Sequence, residues 1–265
     1  MFAVFAIGAV LGLFIGMLSG LLGVGGGMIM LPLFRLAFGM SALSATATSL
    51  FTIIPTSLSG AVTHIRAKTC LPKLGAALGL GGACLSPAGV QLAQMSPSWA
   101  VIIAAALVIG YSSFTMVRKA LKVDAGSTAS SEVSQDLMNL EKADYAKAAA
   151  VGAVAGLASG YVGLGGGFIM VPLLVSVIGL PMRLASGTSL VAVMILATPA
   201  TIYQCLLGNV DYLVGIAVAC GSIPGAMIGA RLVKRVPERV LRLAFAAFLG
   251  IAAILLVIKE LGVLG

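Results

Sequence analysis

Long apolar segments follow one another along almost the whole chain, separated by short polar connections. Five lie in the first half, at roughly 2–22, 24–39, 44–63, 74–95 and 99–117, and five in the second, at roughly 146–162, 164–179, 184–206, 212–232 and 240–258. Most have the ~20 residues that a helix needs to cross a bilayer. The second segment of each half is shorter and would rise only about 24 Å, against a hydrocarbon core of ~30 Å. The pattern predicts an all-α polytopic membrane protein.

The second half repeats the first at a constant offset of 140 residues. The stretch SGLLGVGGGMIMLPLF at 19–34 matches SGYVGLGGGFIMVPLL at 159–174, and 17 of the 39 positions from 12 to 50 are identical to their counterparts. A register held over so long a stretch indicates an internal duplication. We therefore divide the chain into a first membrane repeat at 1–117, a linker at 118–147 and a second membrane repeat at 148–265.

The basic residues predict how the two repeats are oriented in the membrane. They cluster after the third segment of the first repeat, in the linker, and after the fourth segment of the second repeat, around Lys234 and Arg235. The connection after the third segment of the second repeat, near Asp211, has no basic residue. Because basic loops stay in the cytoplasm, the second repeat is expected to be inverted relative to the first.

An inverted repeat needs an odd number of crossings in each half, which leaves two models. Either all five segments cross the membrane, or the first two form a re-entrant hairpin and the other three cross. Both models put the linker in the cytoplasm and both termini outside, and 14 of the 16 basic residues then lie inside. The short second segment favours a re-entrant hairpin, or a helix broken by glycine, at the start of each repeat.

The composition excludes several classes of function. The chain is 60% hydrophobic and only 9% charged, whereas about a quarter of an average soluble domain is charged. A soluble enzyme or a nucleic-acid-binding domain is therefore excluded, although the formal net charge is +8. With one histidine and four cysteines outside any CxxC pair, we expect no metal, no cofactor and no disulfide framework. A membrane enzyme would need a polar catalytic cluster that this sequence lacks.

Two matched glycine runs, GVGGG at Gly23–Gly27 and GLGGG at Gly163–Gly167, are the sharpest local features. Neither fits the nucleotide-binding patterns G-x-G-x-x-G or G-x-x-x-x-G-K-[ST]. A glycine run inside the bilayer frees backbone N–H and C=O groups, so it must line a wet cavity or be buried in protein. Each run opens a helix whose N-terminus attracts anions, and two such ends could converge on one anion near the midplane. The alternative is that the glycines only permit close helix packing.

Hydroxyls and prolines accompany both runs. Pro32 and Pro172 follow them and would kink the helix or shape the break. Neutral hydroxyls suit an oxyanion that is held weakly, although in membrane helices they also pair with backbone carbonyls. No acidic or basic residue falls clearly mid-membrane, which argues against a buried carboxylate relay. The predicted substrate-binding residues are Ser19, Gly23, Gly25, Gly26, Gly27, Thr48, Ser49, Ser159, Gly163, Gly165, Gly166, Gly167, Thr188 and Ser189.

The paired G-x-G-G-G-x-x-x-x-P elements, ending at Pro32 and Pro172, resemble those of the sulfite exporter TauE/SafE family of membrane permeases. The resemblance covers nearly the whole chain and implies transport of a small sulfur-containing anion, such as sulfite or an organosulfonate, across a bacterial inner membrane. Our hypothesis is a secondary transporter that works by alternating access between two inverted repeats. The expected partners are this substrate and the lipid bilayer, with no nucleic acid, and a homo-oligomer stays open. The alternatives are an anion channel lined by half-helix dipoles and a permease for a non-sulfur anion.

Overall fold

Helices account for every regular element that the computed structural model describes, which covers residues 2–97, 103, 107, 110–118, 142–162 and 165–260. The helices of the first half are α1 (Phe2–Leu22), α2 (Gly27–Ala37), α3 (Ala42–Arg66), α4 (Pro72–Met95) and α5, described over 110–118. Those of the second half are α6 (Lys142–Val162), α7 (Gly167–Leu173, continued by a π-helical turn at Leu174–Ile178), α8 (Met182–Leu206), α9 (Tyr212–Leu232) and α10 (Glu238–Glu260). The predicted all-α class is confirmed.

The bounds of these helices show the same duplication as the sequence. Helices α1 and α6 each have 21 residues, α3 and α8 each have 25, and the members of each pair start 140 positions apart. Helix α6 begins at Lys142, inside the stretch taken from the sequence as linker. Its alanine-rich start favours helix, and Lys147 pairs with Asp144 one turn earlier at 3.2 Å. The linker positions 119–141 lie outside the described residues.

Within the described part of the chain, five helices are long and apolar enough to cross a bilayer, namely α1, α3, α4, α8 and α9. Helix α2 has only 11 residues and rises about 16 Å, too little to span a ~30 Å core. Large apolar side chains cover the outside of the bundle, such as Ile7, Leu80 and Ile216, which are 52%, 61% and 48% exposed. So extensive an apolar surface is unfavourable in water and is typical of helices that face lipid.

The first helix of each half packs along the fourth helix of the other half. In α1, a Cβ built on Gly16 would overlap the backbone of Ser222 in α9. At the equivalent place in α6, a Cβ on Gly156 would overlap the backbone of Gly82 in α4. These glycines let two backbones approach as closely as the atoms allow, which is how membrane helices gain packing energy without a hydrophobic driving force. Each half therefore packs its first helix against the other half, and the halves are not two separate groups of helices.

The third helices, α3 and α8, pack against each other and run in opposite directions. A Cβ on Gly60 of α3 would meet Leu190 of α8, and one on Gly187 of α8 would meet His64 of α3. Residue numbers therefore rise along one helix as they fall along the other. Helix α3 runs parallel to α9 instead, because Ser59 of α3 donates a hydrogen bond to the Ile223 carbonyl at 2.8 Å while Thr48 lies next to the loop before α9.

Two equivalent hydrogen bonds join the third helices to the loops of the opposite half. Thr48 Oγ1 accepts from the N–H of Asp211 at 2.9 Å, and Thr188 Oγ1 accepts from the N–H of Leu71 at 3.0 Å. All four positions obey the 140-residue offset of the sequence repeat. The structural relation between the halves thus extends from helix bounds to single hydrogen bonds.

We expect Gly16→Ala to lower the melting temperature of the purified protein by roughly 5 °C or more, because overpacking a tight contact typically costs about 1–3 kcal/mol. Gly110→Ala is the matched control, since a Cβ there has open space and alanine favours helix. Thermal unfolding in detergent measures both. Equal melting temperatures for the two variants would contradict backbone-to-backbone packing of α1 on α9.

Candidate functional site

Each glycine run interrupts the chain between the first and second helices of its half. Helix α1 ends at Leu22 and α2 begins at Gly27. Gly23, Gly25 and Gly26 between them have φ values of 77°, 78° and 86°, a region that side chains with a Cβ rarely adopt. The glycine run is therefore required by the backbone path, and it opens the helix that the sequence predicts.

The second interruption has the same form. Helix α6 ends at Val162 and α7 begins at Gly167, with Gly165 and Gly166 at φ values of 81° and 71°. Gly163, which the sequence places in the site, lies outside the described residues. Both helices start after a glycine in the left-handed conformation and have no side-chain cap on their first turn.

The two interruptions lie against each other. A Cβ built on Gly167 would sit 2.5 Å from the carbonyl oxygen of Val24. Gly25 approaches Val193 of α8, and Gly165 approaches Ile53 of α3, with built Cβ distances of 2.8 and 2.5 Å to their side chains. Ile53 and Val193 are equivalent residues near the middle of α3 and α8. The structure thus brings the two glycine runs together at mid-length of these helices, which is where the membrane midplane would fall.

Backbone donors at both interruptions have no acceptor among the residues that the structure describes. Residues 22–28 and 165–172 are buried. In this part of the chain no protein acceptor takes the N–H groups of Gly25, Gly26, Gly27, Met28 and Gly165. Buried N–H groups are nearly always paired in native proteins, so donors without partners mark a place for a ligand or water. The positive ends of the helix dipoles of α2 and α7 lie beside these donors, because the two helices begin at Gly27 and Gly167.

Three buried hydroxyls border the interruptions and have no partner in the described part of the chain. The side-chain oxygens of Ser19, Ser57 and Ser159 make no hydrogen bond there, and the three residues are 2%, 0% and 1% exposed. Ser19 lies beside Gly26, and Ser159 lies beside Gly166, where its oxygen is 3.3 Å from a built Cβ. A buried hydroxyl without a partner is costly, typically about 1–3 kcal/mol, so these side chains have a reason beyond packing.

Ser57 was not predicted from the sequence. Its oxygen lies 3.2 Å from the Cβ position of Gly25, closer to the glycine run than several predicted residues. The repeat did not indicate Ser57, because the equivalent residue in the second half is Ala197 and the serine is not part of the duplicated pattern. The available signal was its position two helical turns after Ser49, which puts both on one face of α3.

The other predicted hydroxyls are engaged with the protein backbone. Ser189 Oγ donates to the Gly23 carbonyl at 2.6 Å, and Ser49 Oγ lies 3.4 Å from the Gly27 carbonyl. These two serines thus contact the first and the last glycine of the first run. Thr48 and Thr188 accept the loop N–H groups described above and so join α3 and α8 to the opposite half.

The prolines lie inside the short helices. Pro172 is buried in the second turn of α7, where it removes one backbone hydrogen bond, and the chain then continues as the π-helical turn before Gly179. Pro32 lies within α2, which stays α-helical to Ala37, and its side chain is outside the described part of the chain. Helices α2 and α7 therefore begin in the same way, after a left-handed glycine, but they end differently.

The surroundings of the site carry no formal charge. No aspartate, glutamate, lysine or arginine of the described chain is buried. The single histidine, His64, is fully buried near the end of α3, with Nδ1 2.8 Å from Thr69 Oγ1 and Nε2 2.8 Å from the Gly20 carbonyl. An anion at the glycine runs would be held by neutral donors and helix dipoles alone.

Comparison with known proteins identifies the family of this chain. The family model of the sulfite exporter TauE/SafE matches residues 8–256. The probable membrane transporter proteins YdhB and YjnA of Bacillus subtilis are each 29% identical to this chain, over 91% and 93% of its length and 96% and 97% of theirs. A probable membrane transporter protein of Xylella fastidiosa is 26% identical over 83% of this chain and 82% of its own. No solved structure gives a significant match. The chain belongs to the sulfite exporter TauE/SafE family, and it is a multi-pass membrane transporter rather than an enzyme.

Proposed function

We propose that the protein is a secondary permease for a small sulfur-containing oxyanion such as sulfite or an organosulfonate. The observation that carries the proposal is the contact between the two glycine runs, where backbone N–H groups and three hydroxyls have no protein partner among the described residues. These donors match the several acceptor oxygens of an oxyanion, and the helix dipoles favour negative charge.

The absence of a buried cation among the described residues fits transport better than tight capture. A lysine or arginine at this depth would hold an anion strongly and slow its release. Neutral donors give each contact about 0.5–1.5 kcal/mol net, somewhat more with a charged ligand. The substrate is thus held by several modest contacts, which can break when the protein changes conformation.

The antiparallel packing of α3 and α8 supports an inverted repeat. These helices are sequence equivalents, and their opposite directions are expected for halves related by a twofold axis lying in the membrane plane. Helix α1 lies along α9 from Gly8 beside Ala217 to Gly20 beside Ala226, so α1 crosses as far as α9 does. This favours a full first crossing followed by a short returning half-helix.

Two three-helix bundles provide the moving parts of an alternating-access cycle. The first bundle is α1, α3 and α9, and the second is α6, α8 and α4, each locked by glycine contacts between helices of different halves. The bundles meet where α3 packs on α8, on either side of the glycine runs. Rocking about that contact would open the substrate site to one side and then to the other.

The distribution of basic residues supports a cytoplasmic linker. The α9–α10 loop and the start of α8 lie at one end of the molecule, because the Arg183 guanidinium donates to the Val236 carbonyl at 2.9 Å. The α3–α4 loop lies at the same end, where Thr69 approaches Gly187. This end carries the basic clusters of both loops, so the positive-inside rule makes it cytoplasmic, with the termini outside an inner membrane.

Uptake into proteoliposomes tests the proposed activity. We expect saturable uptake of labelled sulfite or a small organosulfonate and no uptake of cations of similar size. Gly25→Ala should abolish it, because the new methyl would crowd Val193 and the Ser57 hydroxyl in a backbone conformation that already disfavours alanine. Gly39→Ala is the matched control, since it has a positive φ of 63° but open space around it.

Each result of that assay has a defined meaning. Equal flux in folded Gly25→Ala and Gly39→Ala protein would refute the assignment of the site. Saturable flux of a carboxylate but no sulfur anion would keep the site and replace the substrate class. Steady single-channel currents without counterflow would replace the carrier by a channel.

Ser57 separates a binding role from a structural one. Ser57→Ala should leave the melting temperature unchanged or raise it, because the hydroxyl has no partner to lose. The same variant should weaken anion binding by roughly tenfold, as expected for one lost hydrogen bond to a charged ligand. Ser222→Ala is the control, because Ser222 Oγ lies 2.5 Å from Thr56 Oγ1, and its loss should cost about 1 kcal/mol of stability. A lowered melting temperature with unchanged binding in Ser57→Ala would contradict the proposal.

Labelling of single cysteines tests the orientation. In a background without the four native cysteines, Lys234→Cys should react with a membrane-impermeant maleimide only after right-side-out vesicles are opened. Leu207→Cys, in the exposed turn at the opposite end of α8, should react before opening. The reverse pattern would invert the topology.

A further inference from the structure

A groove on the outside of the molecule, separate from the glycine runs, runs between α3 and α9. Its volume is about 520 Å³, and its apolar walls include Leu58 and Val62 of α3 and Ile223 and Met227 of α9. Arg66 and Arg231 close one end of it. The apolar stretch and the two charged side chains therefore belong to one continuous surface.

The parallel register of α3 and α9 brings the two arginines to the same level. Ser59 donates to the Ile223 carbonyl, and counting onward along both helices sets Arg66 beside the turn that holds Arg231. Both side chains are exposed, and neither has an ion-pair partner among the described residues, where the salt bridges are Lys147–Asp144 and Arg242–Glu238. Two unpaired guanidinium groups at one level form a site for a phosphate, which they can bind through several N–H groups at once.

The length of the groove matches one leaflet of a bilayer. From Pro55 to Arg66 helix α3 rises roughly 16 Å, about half of the ~30 Å hydrocarbon core. Leu58 and Val62 along this stretch are 48% and 38% exposed. The hydroxyls of the groove are already used, since Ser59 donates to Ile223 and Thr63 donates to the Ser59 carbonyl at 2.9 Å. An acyl chain fits such a surface, whereas a small hydrophilic anion would find no free partner beyond the arginines.

We propose that this groove binds an anionic phospholipid of the cytoplasmic leaflet. Arg66 and Arg231 hold the phosphate of the headgroup, and an acyl chain lies along α3 and α9 toward Pro55. Basic residues next to the cytoplasmic face of membrane helices attract anionic lipids, and a pocket between helices adds shape to that attraction. Because α9 belongs to the first bundle, the bound lipid would brace α3 against α9 without touching the glycine runs.

Lipid binding by the intact protein tests this inference. We expect native mass spectrometry to find phosphatidylglycerol retained in preference to phosphatidylcholine, and added phosphatidylglycerol to raise the melting temperature. In Arg66→Gln/Arg231→Gln the affinity for phosphatidylglycerol should fall by roughly tenfold or more, given the worth of two basic contacts at an anionic surface. Lys73→Gln/Lys234→Gln is the control, because it removes the same charge from the same end but not from the groove.

The controls also distinguish the sources of the effect. Inorganic phosphate at millimolar concentration should neither displace the lipid nor reproduce the rise in melting temperature. An equal loss of phosphatidylglycerol in both double variants would reduce the effect to diffuse charge and overturn the site. Stabilisation by inorganic phosphate alone would replace the lipid by a soluble anion.

Discussion

The structure depends on one constraint, which is that a bilayer offers no partner for an exposed backbone N–H or C=O group. The chain breaks its helices twice, beside the middle of α3 and α8, and the described residues of both breaks are buried. Ser189 donates to one freed carbonyl of the first break, and the second break contacts the first at Val24 and Gly167. Near these breaks, N–H groups such as that of Gly25 have no acceptor among the described residues, and in our proposal they form a polar site inside an apolar molecule.

The two halves are also joined by the packing of their first helices. Helices α1 and α6 leave their own half and pack on α9 and α4 with backbone contact, as at Gly16 and Gly156. In the proposed transport cycle, these contacts hold each bundle together while the bundles move. The contact between α3 and α8 is antiparallel and lies beside the glycine runs, so a rotation at this contact would change the surroundings of the proposed site.

Much of this architecture could be predicted from the sequence because the chain is duplicated. The helix bounds, the short second helix and the opening of α2 and α7 by glycine all follow from the pattern. The partners of α1 and α6 could not be predicted, because packing between halves leaves no local signal. Ser57 was missed because its counterpart is Ala197, and the loop contacts of Thr48 and Thr188 depend on tertiary structure. A sequence repeat identifies the residues that both halves share, whereas the proposed site also includes a residue that only one half has.

The central claim is that both glycine runs bind one anion, and locating that anion tests it most directly. Selenite is a close chemical analogue of sulfite and scatters X-rays anomalously at the selenium edge. Crystals grown with selenite should show one anomalous peak within ~3–4 Å of the Ser57 hydroxyl and the N–H groups of Gly25 and Gly166. A peak only among the exposed basic residues of the cytoplasmic end, with the glycine runs empty at saturating selenite, would contradict the account.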